Sequence, residues 1–319
     1  MEFDKNDKSI LDALYHNWRA PSSKLAKQLR LSRRQVDYRI KQYFSSKIIR
    51  TIFTIADYSK LGYHKPFYIF IKLNKREYVP KIGKYLRETK RCTSWGRVWT
   101  EYDIFSNFIF KNKKEVANFI KKLKATYKNE IEEIVCVDPI HSDLYPLKSI
   151  GDNLKETYTL APKSNKKIKV DQVDLKILKE IRSDARKSII KISEKVRISP
   201  ERCLYRLRRL YKEKVILGSR IQFDLKESGY FATCLFIDTE LSSGLSDKIK
   251  KFCLLNENIN LSIIAKKSPN IVLQVFHKDE KTLREVIKNI SDIFDKKFKI
   301  SIVSLEDDIN IINPLPFLD

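Results

Sequence analysis

Glycine is scarce in this chain, seven residues in 319, and none stands in a run that would let backbone N–H groups cradle a phosphate. A nucleotide-binding loop of that kind is excluded. The five cysteines, Cys92, Cys136, Cys203, Cys234 and Cys253, are scattered, with no pair at the two-residue spacing of metal or redox motifs. They read as buried reduced thiols of a cytoplasmic protein. No segment approaches the roughly 18 apolar residues of a membrane span, and Met1-Glu2-Phe3-Asp4 does not lead into an apolar run. Neither a signal peptide nor an anchor is expected. Histidine is limited to His16, His64, His141 and His277, with no Ser-His-Asp set and no metal spacing around them. The expectation is of no catalytic role, no metal and no other cofactor. Acidic residues are also in deficit: 40 Asp and Glu face 64 Lys and Arg, a formal charge of +24. Such an excess points to an anionic partner. Hydrophobic content of 42% and aromatic content of 11% exclude a disordered polycation.

The chain repeats itself. Tyr63 falls on Tyr230, and the same shift of 167 residues aligns 7–63 with 174–230 without a gap. About 14 of the 57 pairs are identical, among them Asp7/Asp174, Ile10/Ile177, Leu11/Leu178, Arg19/Arg186, Ser32/Ser199, Tyr38/Tyr205, Arg39/Arg206, Asp57/Asp224 and Gly62/Gly229. The shift also carries the strand-like 104–110 onto 271–277, so the repeated unit extends into a second domain. Between the copies, Pro139, Pro146 and Pro162 and the polar run 163–167 read as a linker. The boundaries expected are 1–63 and 171–230 for the first domain of each copy, 64–138 and 231–305 for the second, 139–170 for the linker, and 306–319 for an acidic tail.

In the first domain, apolar residues at Ile10, Leu11 and Leu14, at Leu25 and Leu29, and at Val36, Ile40 and Tyr43 form three short helical stripes. Copy two repeats them at Ile177, Leu178 and Ile181, at Ile192 and Val196, and at Cys203, Leu207 and Leu210. Only Arg30-Leu31-Ser32 and Arg197-Ile198-Ser199 separate helices two and three, which is room for a sharp turn alone. That is a helix-turn-helix. Ser32 and Ser199 stand where a side-chain oxygen caps the third helix, and Pro200 occupies the first helical position. Alternating residues up to Ile55 and Phe223 suggest a two-stranded wing after each third helix. The helical wheel leaves Arg34, Gln35, Asp37, Tyr38, Arg39 and Lys41 outward in copy one, and Glu201, Arg202, Leu204, Tyr205, Arg206 and Arg208 in copy two. Arg and Gln suit guanine and adenine edges, Lys and Arg suit phosphates, and Arg30, Ser32, Arg33, Arg50, Arg197, Ser199 and Arg220 extend the expected DNA-contact set. Residues 2–50 carry about 12 basic and 5 acidic side chains, and 166–222 about 18 and 7. The outward residues differ between copies, so nonequivalent half-sites are expected.

The second domain begins with alternation over 66–73, Phe67, Ile69, Ile71 and Leu73 on one face, Tyr68, Phe70 and Lys72 on the other. A helix at Val79, Ile82 and Leu86, strands at 93–100 and 104–110, a helix at Val116, Phe119, Ile120 and Leu123, and a strand at 131–137 complete βαββαβ, a ferredoxin-like order. Copy two repeats it over 233–305. The Tyr68/Phe70 face is too apolar for water, and the second sheet of the same chain can cover it. The fold class is α+β: two winged helix-turn-helix and two ferredoxin-like domains in tandem.

These residues resemble the Lrp/AsnC family of transcription regulators: 7–14 with Asn17 and Arg19, Lys24-Leu25-Ala26 opening into Leu31-Ser32, Val36 with Arg39-Ile40, Ile48-Ile49, the Gly62-Tyr63 exit, and their counterparts in copy two. The resemblance implies a sequence-specific regulator of double-stranded DNA, here a covalent pseudo-dimer, with an amino-acid or other small-molecule effector and self-association through the ferredoxin-like (RAM) domains. Two features depart from the pattern. Both copies have Arg where the helix-turn-helix turn often has Gly or Asn, at a cost of about 1 kcal/mol if the positive φ is kept. The effector loop, Gly-x-Tyr-Asp in the family, is Thr100-Glu101-Tyr102-Asp103 in copy one and Lys267-Ser268-Pro269-Asn270 in copy two. Tyr102 and Asp103 are effector-loop candidates by resemblance, with simple hairpin chemistry as the alternative. Two other functions stand beside the regulator: a nucleoid-associated DNA-binding protein, and a siroheme decarboxylase-like enzyme on the same paired architecture. The enzyme would need a His and Arg cluster that the sequence does not provide.

Overall fold

The structure is a computed structural model and describes residues 3–16, 18–63, 66–146, 148, 157–160, 168–294, 297–306 and 309–318. Asn17, His64, Pro162, the polar run 163–167 and the acidic pair 307–308 lie outside the described residues.

Copy one runs α1 (Lys5–His16), α2 (Ser22–Leu29), α3 (Arg33–Ser45), β1 (Ile49–Ala56), β2 (Pro66–Leu73), α4 (Val79–Glu88), β3 (Cys92–Thr100), β4 (Ile104–Ile109), α5 (Lys113–Thr126) and β5 (Ile131–Val137). Two strands follow, β6 (Pro139–Leu144) and β7 (Tyr158–Thr159). Copy two runs α6 (Gln172–Ile181), α7 (Ile189–Val196), α8 (Pro200–Lys212), β8 (Ile216–Phe223), β9 (Phe231–Thr239), α9 (Leu245–Leu255), β10 (Ile259–Ala265), β11 (Ile271–His277), α10 (Glu280–Ser291) and β12 (Phe298–Leu305), and ends with β13 (Asn310–Ile311). The element order is the one expected from the periodicities.

Each helical trio buries its stripe: Ile10, Leu11, Leu14, Leu25, Val36 and Tyr43 in copy one, and Ile177, Leu178, Ile181, Ile192, Cys203 and Leu207 in copy two. The expected wings are corrected. Among the described residues neither copy folds a two-stranded wing of its own; β1 and β8 instead pair antiparallel with each other, Phe53 opposite Arg220. Burial explains the exchange. Ile221 and Phe223 of β8 join the core of copy one, while Ala56 of β1 and Tyr58 just beyond it join that of copy two. A single strand would otherwise leave its backbone groups unpaired.

Both second domains are ferredoxin-like, with strand orders β5-β2-β4-β3 and β12-β9-β11-β10. Alternation along β2 sends Phe67, Ile69, Ile71 and Leu73 into a core that also contains Ile82 of α4 and Leu123 of α5. Tyr68 and Phe70 point the other way, into a core shared with Cys234, Phe236, Ile263 and Val272 of copy two. Phe70 meets Phe236 edge to face at 4.6 Å between ring centroids. The second sheet therefore does cover the apolar face. The two sheets also join at both edges, where β3 pairs with β12 and β10 with β6, which directly continues the path of β5.

Those joins revise the expected linker and tail. Pro139–Leu144 is a paired strand rather than linker, and β7 pairs with it. The tail does not stand free: β13 pairs with β3, Glu306 bonds Arg76 and Arg97, and Leu315 is buried in the winged core of copy two. Phe70→Ala removes a fully buried ring from between the sheets and should cost about 3–5 kcal/mol. Urea unfolding of the full chain checks this, and a loss below about 1 kcal/mol would mean that the two sheets do not depend on their shared core.

Candidate nucleic-acid interface

Each third helix starts at a defined point. Ser32 accepts from the backbone N–H of Gln35 at 3.1 Å while the Gln35 carboxamide oxygen accepts from the Ser32 N–H at 2.8 Å, a reciprocal capping box. Ser199 caps α8 through the Arg202 N–H at 3.3 Å, with Pro200 at the first helical position. The preceding turn keeps its left-handed geometry in both copies, with Arg30 at φ 55° and Arg197 at φ 60°. Arginine carries that strain, about 1 kcal/mol each, and both side chains are exposed beside the helix start.

The outward face of α3 carries Arg33, Arg34, Tyr38 and Lys41, all exposed. That of α8 carries Arg202, Tyr205 and Arg208. Tyr38 and Tyr205 occupy equivalent positions and are 65% and 69% exposed, although tyrosine normally hides most of its ring. Arg33 makes an exposed i,i+4 ion pair with Asp37 at 3.4 Å, too weak to hold it from another partner. Arg30, Arg33, Arg34, Tyr38, Lys41, Arg197, Arg202, Tyr205 and Arg208 of the expected contact set are exposed.

Besides the capping Ser32 and Ser199, five other residues of the expected contact set make bonds within the protein. Arg39 is turned to Asp7 at 2.5 Å and Asp4 at 2.8 Å, and Asp7 also accepts from the Tyr43 hydroxyl at 2.6 Å. Arg206 is turned to Asp171 at 2.7 Å and to Asp174 at 3.0 Å, and Arg209 reaches the same Asp174. Asp7 and Asp174 are buried, so a facing guanidinium is what makes their charge tolerable. These pairs fasten each third helix to the first helix of its own copy. Arg50 bonds Asp224 of the other copy through Nε at 2.9 Å and Nη2 at 2.6 Å. Arg220 is buried, donating to the Tyr145 carbonyl at 2.9 Å and to Asn260. The Gln35 carboxamide oxygen belongs to the capping box, which leaves only its NH2 group outward.

Arg19 and Arg186, an identical pair across the repeat, share one task. Arg19 donates to the Ala185 carbonyl at 3.0 Å and the Lys187 carbonyl at 2.6 Å; Arg186 donates to the Trp18 carbonyl at 2.7 Å and reaches that of Ala20 at 3.5 Å. Each copy clasps the segment after the first helix of the other. Burial lowers the pKa of both guanidinia. The Asp57 N–H donates to Val215 and the Asp224 N–H to Ile48, again a reciprocal exchange. Identity at one fixed shift was the available signal, because a two-fold contact uses the same residue twice.

The effector-loop candidates both make contacts within the fold. Tyr102 lies between the sheets, its ring 5.8 Å from Phe70 and 5.7 Å from Phe236. The Asp103 carboxylate accepts from the Leu73 N–H at 2.8 Å and pairs with Arg76 at 3.1 Å. Both residues are committed to the fold around the β3–β4 hairpin.

A family model described as winged helix-turn-helix DNA-binding matches residues 170–216. An uncharacterized HTH-type transcriptional regulator of Pyrococcus horikoshii is 29% identical over 121 residues, covering 38% of this chain and 81% of the relative. The leucine-responsive regulatory protein of Haemophilus influenzae is 42% identical over 66 residues, 21% of this chain and 39% of the relative. Among solved structures, the siroheme decarboxylase NirDL superposes with a TM-score of 0.65 at 13% identity, over 97% of this chain and 94% of that one. This last likeness is one of fold.

Hydrogen bonds from Arg206 and then from the Asp174 N–H hold the Asp171 carboxyl at about 2, against roughly 3.9 in an unfolded chain. A depressed folded value means that the stabilisation is complete above about pH 4 and is lost as pH falls through about 2. In Arg206→Met the Asp171 midpoint, followed by carboxyl-carbon NMR, should rise toward about 4. An unchanged midpoint would show that Arg206 does not hold this helix.

Proposed function

We propose that this chain is a transcription regulator of the Lrp/AsnC type in tandem duplicate, whose two winged domains act as one covalent pseudo-dimer, each third helix reading one half of a sequence-specific duplex DNA site. The observation that carries this reading is the reciprocal clasp of Arg19 and Arg186 around the paired strands β1 and β8. It relates the two capped, basic third helices by an approximate two-fold axis within one chain. Two-fold helix-turn-helix pairs meet successive major grooves about one helical turn, roughly 34–36 Å, apart or at multiples of it.

The contact set of the proposal is Arg30, Arg33, Arg34, Tyr38 and Lys41 from copy one, with Arg197, Arg202, Tyr205 and Arg208 from copy two. Arg34 and Arg202 are not equivalent positions; they face Glu201 and Gln35 under the 167-residue shift. Asp37 likewise corresponds to Leu204. The two heads offer different donors and acceptors, so one chain matches an asymmetric site. Arg30 and Arg197, held at positive φ beside the helix starts, suit phosphates, whereas arginines early in the third helix suit guanine edges.

Selection of binding sites from random duplex DNA should return a bipartite, non-palindromic sequence. Arg34→Ala should relax base preference in one half-site and Arg202→Ala in the other, each by about 1–3 kcal/mol. Recovery of a palindrome unaffected by one of the two substitutions would defeat the asymmetric reading. The logarithm of affinity against the logarithm of salt concentration should fall by about 0.9 for each phosphate neutralised. A slope near zero would remove duplex DNA as the partner.

A further inference from the structure

Where β1 and β8 face the ends of the two sheets, they line a half-open cavity of about 180 Å³. It lies on the approximate two-fold axis: Asn107 and Gln274, Ile109 and Phe276, and Leu144 and Ile311 line it as equivalent pairs at the 167-residue shift. Phe53 and Arg220 also line it and stand opposite each other in the β1–β8 register. In a homodimer the same residue would occupy both places. Here one is an aromatic wall and the other a cation.

Arg220 is only 5% exposed, and no carboxylate pairs with it among the described residues. Its Nη2 is satisfied by the Tyr145 carbonyl and Asn260, but its Nη1 is buried without a partner. Across the cavity wall, Asn107 donates to the Ser94 hydroxyl at 2.9 Å and leaves its own carboxamide oxygen without a partner. A buried guanidinium with an open donor position is costly unless an acceptor meets it, and an anion meets it best. The rest of the wall is mainly apolar, with Phe105, Ile109, Leu144, Phe223 and Phe276 among the lining residues.

We propose that this axial cavity is a binding site for a small organic monocarboxylate with an apolar body, its carboxylate on Arg220 Nη1 and its body against Phe53 and the surrounding aliphatic and aromatic side chains. Size limits the ligand, since a cavity of about 150 Å³ holds benzene. The available volume therefore suits a molecule near benzoate or a branched short-chain acid. The Asn107 carboxamide adds one polar position for a substituent. Arg220, expected from the sequence to reach DNA, is assigned instead to this ligand.

The test is calorimetric titration of the full chain, without DNA, with sodium benzoate, sodium isovalerate and the neutral isostere benzyl alcohol. Benzoate should bind saturably at one site per chain, and benzyl alcohol at least tenfold more weakly. Arg220→Met should weaken benzoate at least tenfold, as should Leu144→Trp, which fills the cavity without touching the guanidinium; thermal unfolding establishes that each variant is folded. Should Arg220→Met not fold, Leu144→Trp and the benzyl alcohol comparison still decide. Absence of saturable binding of both carboxylates to the wild-type chain would overturn the site. Equal affinity for benzoate and benzyl alcohol would overturn the role of Arg220. Because no DNA enters the titration, failure here leaves the DNA-binding reading standing, and the reverse holds equally.

Discussion

The exchange of strands β1 and β8 is the constraint on which the remaining architecture depends. Neither winged domain has a complete core without residues of the other copy, since Ile221 and Phe223 serve the first and Ala56 and Tyr58 the second. Backbone pairing satisfies both strands, and Arg19 and Arg186 close the exchange by occupying carbonyls of the opposite copy. The same approximate axis governs the second domains, which share the core around Phe70 and Phe236 and join at both sheet edges. The two copies thus pack about one approximate axis, and the orientation of their third helices is built into the fold.

Covalent duplication also frees positions on the axis from symmetry. Phe53 opposite Arg220 is a pairing that no two-fold homodimer can make, and it leaves a single charged donor in an apolar cavity. On the outer faces the same freedom places Arg34 against Glu201 and Asp37 against Leu204. Positions used twice in the same way remain alike: Asp7 and Asp174 hold Arg39 and Arg206, and Ser32 and Ser199 cap their helices.

Local periodicity made the elements legible. The stripes of three and four in the helical trios, the alternation of β2 and the βαββαβ order all reappear in the structure, and the apolar Tyr68/Phe70 face foretold the covering sheet. The exchange of wing strands was not legible, because alternation along Ile49–Ala56 says that a strand needs a partner without saying which strand it is. Nor could a helical wheel separate Arg34 from Arg39: both lie off the core stripe, but only Arg39 is within reach of Asp4 and Asp7, 32 or more positions earlier in the chain. Arg50 and Arg220 are hidden from sequence in the same way, since Asp224 and Asn260 come to them only through the pairing of the two copies. Identity across the internal repeat does not separate the two roles either, since Arg39/Arg206 hold the scaffold while the equally identical Tyr38/Tyr205 stand exposed.

The central claim is that one chain carries both heads of a DNA-reading pair. Native mass spectrometry of the full chain with a duplex containing its selected site measures this directly. The account predicts one chain per duplex at saturation, with no two-chain complex at protein concentrations near the dissociation constant. Two chains on a single site, each contributing one winged domain, would contradict it.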